Sequence, residues 1–404
     1  MESIFRLIHK LGPAGIVLKA IFAALVADGL LLAFILLRRS YRKRYFAKRD
    51  ARVFHFRAVW EQLISGKIPY LAWRGKIFDR RVVESLALDA LEAAPAEGAA
   101  RVLNFLRVSG LMQTRIYEAR KYHGWQRRKA LVALGQTRAA EGIAALGEGL
   151  RDNNAETRLA ALRGLGRTGL PAAAEEILRW VGERGLVVPA LPLENALMNC
   201  CRERPQLVPR YMAAAHGELR ELLGRVLGEV ATQTMDADLT EMAGDQAPEV
   251  RASAARALGN ARPKIAPPVL AEMVKDPVWF VRLRATVALG QLRTVRAIPA
   301  LLLALTDSHR LVRLRAAQAL ADQDEDSSVI FGAVADTEDA YAIDAYITAA
   351  ENAGIYGELL EKLQTGRSME EERRGHLLDI AGRKVALGPG IHPGVSAKPD
   401  AVAS

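Results

Sequence analysis

The sequence predicts an all-α protein: an α-solenoid of helix pairs repeating every 31 residues, preceded by one transmembrane helix. Two observations carry this. The first is a pattern that keeps its register for about 190 residues. A leucine row reads Leu134, Leu165, Ala196, Leu227, Leu258, Leu289 and Leu320, each 31 residues on from the last. An arginine row reads Arg127, Arg158, Pro189, Arg220, Arg251, Arg282 and Arg313. A fixed period of this size means a stacked array in which each unit buries its apolar face only against its neighbours. The second is Gly15 to Leu37, 23 almost wholly apolar residues, where a bilayer core needs about 20 in a helix.

Taken in chain order, residues 1–14 form a short N-terminal segment and 15–37 the membrane helix. Three readings of 15–37 compete. A secretory signal peptide has a shorter core and a small-residue cleavage site. A buried core helix would be shorter than this stretch and less one-sided in its flanks. The stretch instead runs into Arg38, Arg39, Ser40, Tyr41, Arg42, Lys43 and Arg44, which favours a single-pass anchor. Lys19 lies near one end and can snorkel. Asp28 lies near the middle, where a carboxylate costs about 2.5–3.5 kcal/mol on insertion. Two readings of Asp28 stay open: an acid tolerated in its protonated form, or one that meets a polar or basic group on a partner helix.

Residues 38–57 form a basic juxtamembrane segment, with nine Lys or Arg against Asp50 alone. Residues 1–14 hold only Arg6 and Lys10 against Glu2. The positive-inside bias therefore places the repeats in the cytoplasm, on the inner membrane of a bacterial cell, and the short N-terminus outside. This segment also supplies +8 of the net charge of +10, so the rest of the chain is nearly neutral. The overall charge is thus no sign of a nucleic-acid binder. Arg38, Arg39, Arg42, Lys43 and Arg44 are expected to hold anionic lipid headgroups, each contributing about 1 kcal/mol near the surface. Tyr41, Tyr45 and Phe46 suit the interface.

Residues 58–118 look helical without the clean period and read as a cap or as divergent repeats. Val82, Val83, Leu86, Leu88 and Leu91, then Ala99, Val102, Leu103 and Leu106, make two amphipathic stretches. Trp60, Tyr70, Trp73 and Trp125 fall early in the chain. They serve core packing or else a partner-facing patch close to the membrane.

Residues 119–325 hold the regular units. Ile298, Leu301, Leu302 and Leu305 form the stripe of a first helix, and Val312, Ala316, Ala319 and Leu320 that of a second. Asp307 and Ser308 lie between them, where a turn and an N-cap are expected. Asp152, Asp245 and Asp276 fill the same slot in other units. Gly135, Gly166, Gly228, Gly259 and Gly290 follow the leucine row, where a left-handed C-cap is expected. The run Asp245, Arg251, Ala254, Ala257, Leu258, Gly259 resembles the short bacterial HEAT-like repeats, known also from phycobilisome lyases. The resemblance covers about half the chain and implies a ladder of structural Asp and Arg residues between units. It carries over to Asp152, Asp245, Asp276 and Asp307 and to Arg127, Arg158, Arg251, Arg282 and Arg313. The unit at 182–212 departs from it: Pro189, Pro192 and Ala196 replace Arg, Ala and Leu, so its second helix is expected to be short or kinked. Residues 326–386 read as a C-terminal helical cap, and 387–404, rich in Gly, Pro, Ala and Ser, as a disordered tail.

The sequence holds little sign of catalytic chemistry. Its seven histidines include no pair at metal-ligand spacing on one helix, and it contains no phosphate-binding loop and no nucleophile elbow. The HEAT-like deoxyhypusine hydroxylases bind iron through His-Glu dipeptides, and this chain has none. Bilin-lyase activity would rest on fold analogy alone. No cofactor, metal or small-molecule substrate is expected. Cys200 and Cys201, the only cysteines, read as small buried hydrophobes.

In the resembled stacks the second helices line the inner surface. There the row Val132, Arg163, Glu194, Arg225, Arg256, Val287, Gln318 is basic at its centre. Arg163, Arg225 and Arg256 make either a solvated face or a docking strip for an acidic partner segment. Trp279 is a candidate anchor, with Phe280 in the core. The function expected is a non-enzymatic, membrane-anchored scaffold or regulator. Its partner would be a membrane or membrane-proximal protein, such as a polytopic envelope enzyme or transporter. The rivals are a HEAT-like enzyme of the bilin-lyase or hydroxylase kind, and a nucleic-acid-binding HEAT protein.

Overall fold

The computed structural model describes residues 13–365 and 371–387. Among them every regular element is a helix. The chain forms two compact units, residues 1–121 and 122–404.

The first unit opens with α1, Pro13–Ala58, one continuous helix of 46 residues, about 69 Å long at 1.5 Å per residue. The sequence boundary at Leu37 and Arg38 is therefore no break in the backbone. Every residue from Ala20 to Ala51 is exposed. Only the last turns of α1 enter a core, with Phe56 buried. Two short helices follow, α2 (Trp60–Ile64) and α3 (Leu71–Arg74), then α4 (Ile77–Ala93), α5 (Ala96–Val108) and α6 (Leu111–Lys121). Pro95 divides α4 from α5: Ala94 is driven to ψ 143° and Pro95 stands at the N-cap of α5. Val82, Val83, Leu86, Val102 and Leu106 form the core with Phe56, Trp73 and Phe105. Trp60, Tyr70 and Trp73 surround Phe105, with ring centres 6.2, 6.1 and 5.9 Å away. These three aromatics are thus packing residues.

The second unit stacks helix pairs. The second helices are α7 (Gly124–Thr137), α9 (Ala155–Thr168), α11 (Ala190–Cys201), α13 (Gly217–Val230), α15 (Pro248–Ala261), α17 (Trp279–Leu292) and α19 (Arg310–Ala321). Alternating with them are the first helices α8 (Ile143–Leu150), α10 (Pro171–Arg184), α12 (Leu207–Met212), α14 (Asp236–Ala243), α16 (Ala266–Met273) and α18 (Ile298–Leu305). Starts at 124, 155, 217, 248, 279 and 310 keep the 31-residue step. The leucine row is at most 4% exposed throughout. Leu146, Ile177, Val208, Leu239, Leu270 and Leu301 on the first helices are fully buried. Four helices close the array: α20 (Ser327–Ala335), α21 (Ala340–Ala353), α22 (Tyr356–Thr365) and α23 (Glu371–Leu387). The N-terminal segment before Pro13 and the expected disordered tail beyond Leu387 lie outside the described residues.

The proline-bearing unit is shortened, not kinked. Its second helix starts at Ala190 instead of 186, with Pro189 as N-cap. Pro192 falls in the first turn, where a missing N–H costs no helical bond.

The glycines after the leucine row are not C-caps. Gly135, Gly166, Gly228, Gly259 and Gly290 lie inside their helices. A Cβ on Gly135 would sit 2.4 Å from the Gly164 Cα, and one on Gly166 would sit 2.7 Å from the Ala196 Cα. They are needed because successive second helices touch backbone to backbone. The left-handed C-caps fall three residues later, at Arg138 (φ 52°), Gly169 (66°), Arg262 (52°) and Arg293 (46°). A non-glycine there costs roughly 1–2 kcal/mol.

The Asp–Arg ladder is present. Arg127 pairs with Asp152, Arg220 with Asp245, Arg251 with Asp276 and Arg282 with Asp307, each acid 25 residues ahead. The Oδ1 of each acid accepts a backbone N–H two residues on, from Asn154, Ala247, Val278 and His309. The aspartates therefore build the interhelix turn and are not N-caps. Arg158 donates to the carbonyls of Asp152 and Asn153, but position 183 is Glu183, and the Arg158 Nε is left without a partner. The ladder breaks at the proline-bearing unit.

Candidate partner-binding face

In the first unit, α1 joins an apolar half to a basic half in one rod. Residues 15–37 span about 34 Å at 1.5 Å per residue, enough for a hydrocarbon core of about 30 Å. The helix from Ala20 is long and apolar enough to cross a membrane, and its apolar window is 0% buried. Leu30 and Leu37 are 68% and 71% exposed. Monomeric soluble proteins rarely expose a contiguous apolar surface of that extent. Asp28 is exposed on the same helix. Arg38, Arg39, Arg42, Lys43 and Arg44 are all exposed, with Arg42 lying 5.9 Å from the centre of the Phe46 ring.

The far end of α1 is fastened to α4. Arg52 Nε donates to Asp79 Oδ1 at 2.8 Å. Hydrogen bonding from Arg52 holds the Asp79 carboxyl below its ordinary value against the opposing effect of burial. Tyr45 meets Phe78 edge to face at 5.7 Å, and Lys48 Nζ sits 5.0 Å over the same ring. Arg52, one of the nine Lys and Arg residues of 38–57, is thus committed to structure.

In the second unit, the face formed by the second helices carries two grooves. The first, about 740 Å³, lies where α11 starts late. Val132, Leu159, Leu191 and Pro192 give it an apolar lining, and Arg163, Asn195 and Asn199 a polar one. Leu191 is 67% exposed. Arg163 is exposed within it. The other two arginines of the expected strip face counter-ions. Arg225 is ion-paired with Glu194, its own predecessor in the row. Arg256 Nη1 lies 2.7 Å from Glu229 Oε1. Trp279 is 41% exposed, and one face of its ring is covered by the His309 imidazole, stacked at 4.1 Å and 10°. Phe280 is half-buried, not in the core.

The second groove, about 680 Å³, runs across α15, α17 and α19. Arg262, Arg284, Arg293 and Arg315 line it, with Asp322 as its one acid. Leu283, Val287 and Ala319 supply apolar lining. Sequence reasoning passed over these arginines, although a row readable in the sequence places them: Arg284 and Arg315 are 31 residues apart, as are Arg262 and Arg293. They were masked by the neighbouring ladder arginines Arg282 and Arg313, which face the turns.

Neither groove assembles reactive groups. Among the described residues no cluster of His, Cys, Asp and Glu is placed to hold a metal ion. Cys200 and Cys201 are buried free thiols. Burial pushes the Cys200 thiol up to about 11 and Cys201 to about 12, so neither is a thiolate at neutral pH.

Residues 205–290 and 237–321 match the family model for HEAT repeats, and the array is a HEAT-like α-solenoid. No curated protein matches the chain. Similar solved structures include an engineered protein at 17% identity, covering 80% of this chain and 98% of that one with a TM-score of 0.37. Human deoxyhypusine hydroxylase in complex with glycerol matches at 21% identity over 68% of this chain and 97% of that one, TM-score 0.27. The complex of CpcE and CpcF of phycocyanin lyase from Nostoc matches at 17% identity over 65% and 94%, TM-score 0.24. Likenesses of this size carry no argument about activity.

Proposed function

We propose that this HEAT-repeat chain is a non-enzymatic scaffold or regulator, anchored in the membrane by α1, that binds a protein partner on the second-helix face of its solenoid. The observation that supports this most is α1 itself: an apolar half, exposed from Ala20 to Leu37, continuous with a basic half whose end is fixed to the folded first unit. Lipid is the medium that satisfies such a surface. The basic half then lies at the cytoplasmic surface, where Arg38, Arg39, Arg42, Lys43 and Arg44 meet anionic headgroups. The repeats are held in the cytoplasm close to the inner membrane. Tethering raises their effective concentration for partners in that plane, such as a polytopic envelope enzyme or transporter.

The test is membrane extraction combined with topology reporters. The full chain should stay with the membrane fraction at alkaline pH, and a reporter active only in the cytoplasm, fused after Ser404, should work. Neutralising Arg38, Arg39, Arg42, Lys43 and Arg44 together should weaken or invert that orientation. Recovery of the intact chain in the soluble fraction would remove the anchor.

A further inference from the structure

We infer that the groove across α15, α17 and α19 is a docking site for an extended acidic protein segment carrying a carboxylate at every third residue. This rests on the scaffold reading and names the chemistry of its partner.

Little of the positive charge in the groove is paired. Arg284 and Arg262 have no ion pair among the described residues. Arg315 donates to the Gln318 amide, and Arg293 reaches Asp324 at 3.3 Å with both side chains more than half exposed. Water competes well for a pair of that kind. Elsewhere on the same face Arg128 is paired with Glu156, Arg225 with Glu194 and Arg256 with Glu229, while Arg163 stands exposed in the first groove. Four arginines thus gather in the second groove, and ion pairs separate them from Arg163 in the first.

That gathering selects the partner. A nucleic acid needs a basic track matching a run of phosphates, and the ion pairs at Glu194 and Glu229 interrupt any such track. A short acidic peptide needs only a few guanidinium groups, which bind carboxylates in a planar, two-pronged way.

Spacing sets the register. Arg284 and Arg315 stand at equivalent places on α17 and α19, and packed helices lie about 8–10 Å apart. In a polyproline-type extended chain the third residue returns to the same side after about 9.3 Å. Acids three residues apart therefore meet successive arginine rungs, with the residues between them over Leu283, Val287 and Ala319.

The experiment uses the full chain in detergent micelles and a fluorescein-labelled peptide of Glu-Pro-Ala repeats, read by anisotropy at physiological salt. Saturable binding is expected, and Arg284→Glu with Arg315→Glu should weaken it at least thirty-fold while the melting curve is kept. Arg202→Glu with Arg204→Glu, an equal charge change at exposed positions outside the groove, should leave it within two-fold. If the double reversal does not fold, Arg284→Gln with Arg315→Gln should still weaken binding at least ten-fold. A peptide of the same composition with its acids gathered at one end should bind at least five-fold more weakly. Unchanged binding by the double variants, equal binding of the gathered peptide, or tighter binding of a single-stranded oligonucleotide of equal charge overturns the proposal. The assay reads the groove without a membrane. A chain that binds the peptide yet is soluble in cells loses the anchor alone, and a membrane-bound chain blind to the peptide loses this inference alone.

Discussion

Arg251 grips Asp276 with two parallel donors, Nε to Oδ2 at 2.7 Å and Nη2 to Oδ1 at 2.9 Å. Its remaining Nη1 reaches the carbonyls of Asp245 and Gln246, six and five residues back. One guanidinium therefore joins the turn of its own unit to the turn of the next. Asp276 in turn shapes its own turn by accepting from Val278 N–H. Arg282 repeats the arrangement with Asp276, Pro277 and Asp307. Side-chain exposures of 14% and 8% keep water from competing.

Lysine cannot make this fork, because its single ammonium serves one direction at a time. Arg251→Lys is expected to destabilise the array by about 1–3 kcal/mol through unsatisfied turn carbonyls and carboxylate. A double-mutant cycle with Asp276→Asn should show coupling, since the two side chains are in direct contact. Urea unfolding followed by circular dichroism checks this, and strictly additive losses would mean the pair does not act as a unit.

Acid should loosen the ladder. Burial favours the protonated form of Asp276 and Asp307, but hydrogen bonds from Arg251 and Arg282, and from backbone N–H groups, outweigh it and hold both carboxyls below 3.8. A group whose folded value is depressed adds stability above its unfolded value and loses it as pH falls through the folded one. The unfolding midpoint should therefore drop from about pH 4 downward. Asp276→Asn with Asp307→Asn should start lower and fall less steeply over that range. Parallel curves for the parent and the double variant would contradict the assignment.

Two glycine substitutions should move stability in opposite directions. Gly135→Ala drives a Cβ into the Gly164 backbone at 2.4 Å, and two rigid helices must separate, at a cost of about 1–3 kcal/mol. Gly182→Ala, inside α10, meets nothing within 4 Å. It should stabilise by roughly 0.5–1 kcal/mol through helix propensity. Thermal melts of the two variants decide it.

Alkylation should find no target in the native chain. Cys200 and Cys201 are fully buried and their thiols are held protonated. Iodoacetamide at about pH 8 should label neither until denaturant is added. Rapid labelling of the folded protein would show that α11 opens, and mass spectrometry distinguishes the cases.

Sequence by itself determined the period, the burial of both leucine-bearing rows and the Asp–Arg ladder, because each depends on contacts that recur at a fixed step along the chain, and it determined the apolar helix by length and composition. Ladder pairs such as Arg282 and Asp307 are 25 residues apart in every regular unit, so repetition in sequence is repetition in space. Tertiary structure alone decided what each glycine was for. Gly135 and Gly259 look like caps when one unit is read in isolation, and only the approach of the next helix shows that the missing Cβ makes room for a neighbour. It alone decided which arginines are spent: Arg225 and Arg256 looked free in their row until Glu194 and Glu229 were placed beside them. The groove arginines Arg284 and Arg315 emerged in the same way. Charge pairing is set by the separation of side chains on adjacent helices, and a linear pattern fixes the helix but not the partner across the gap.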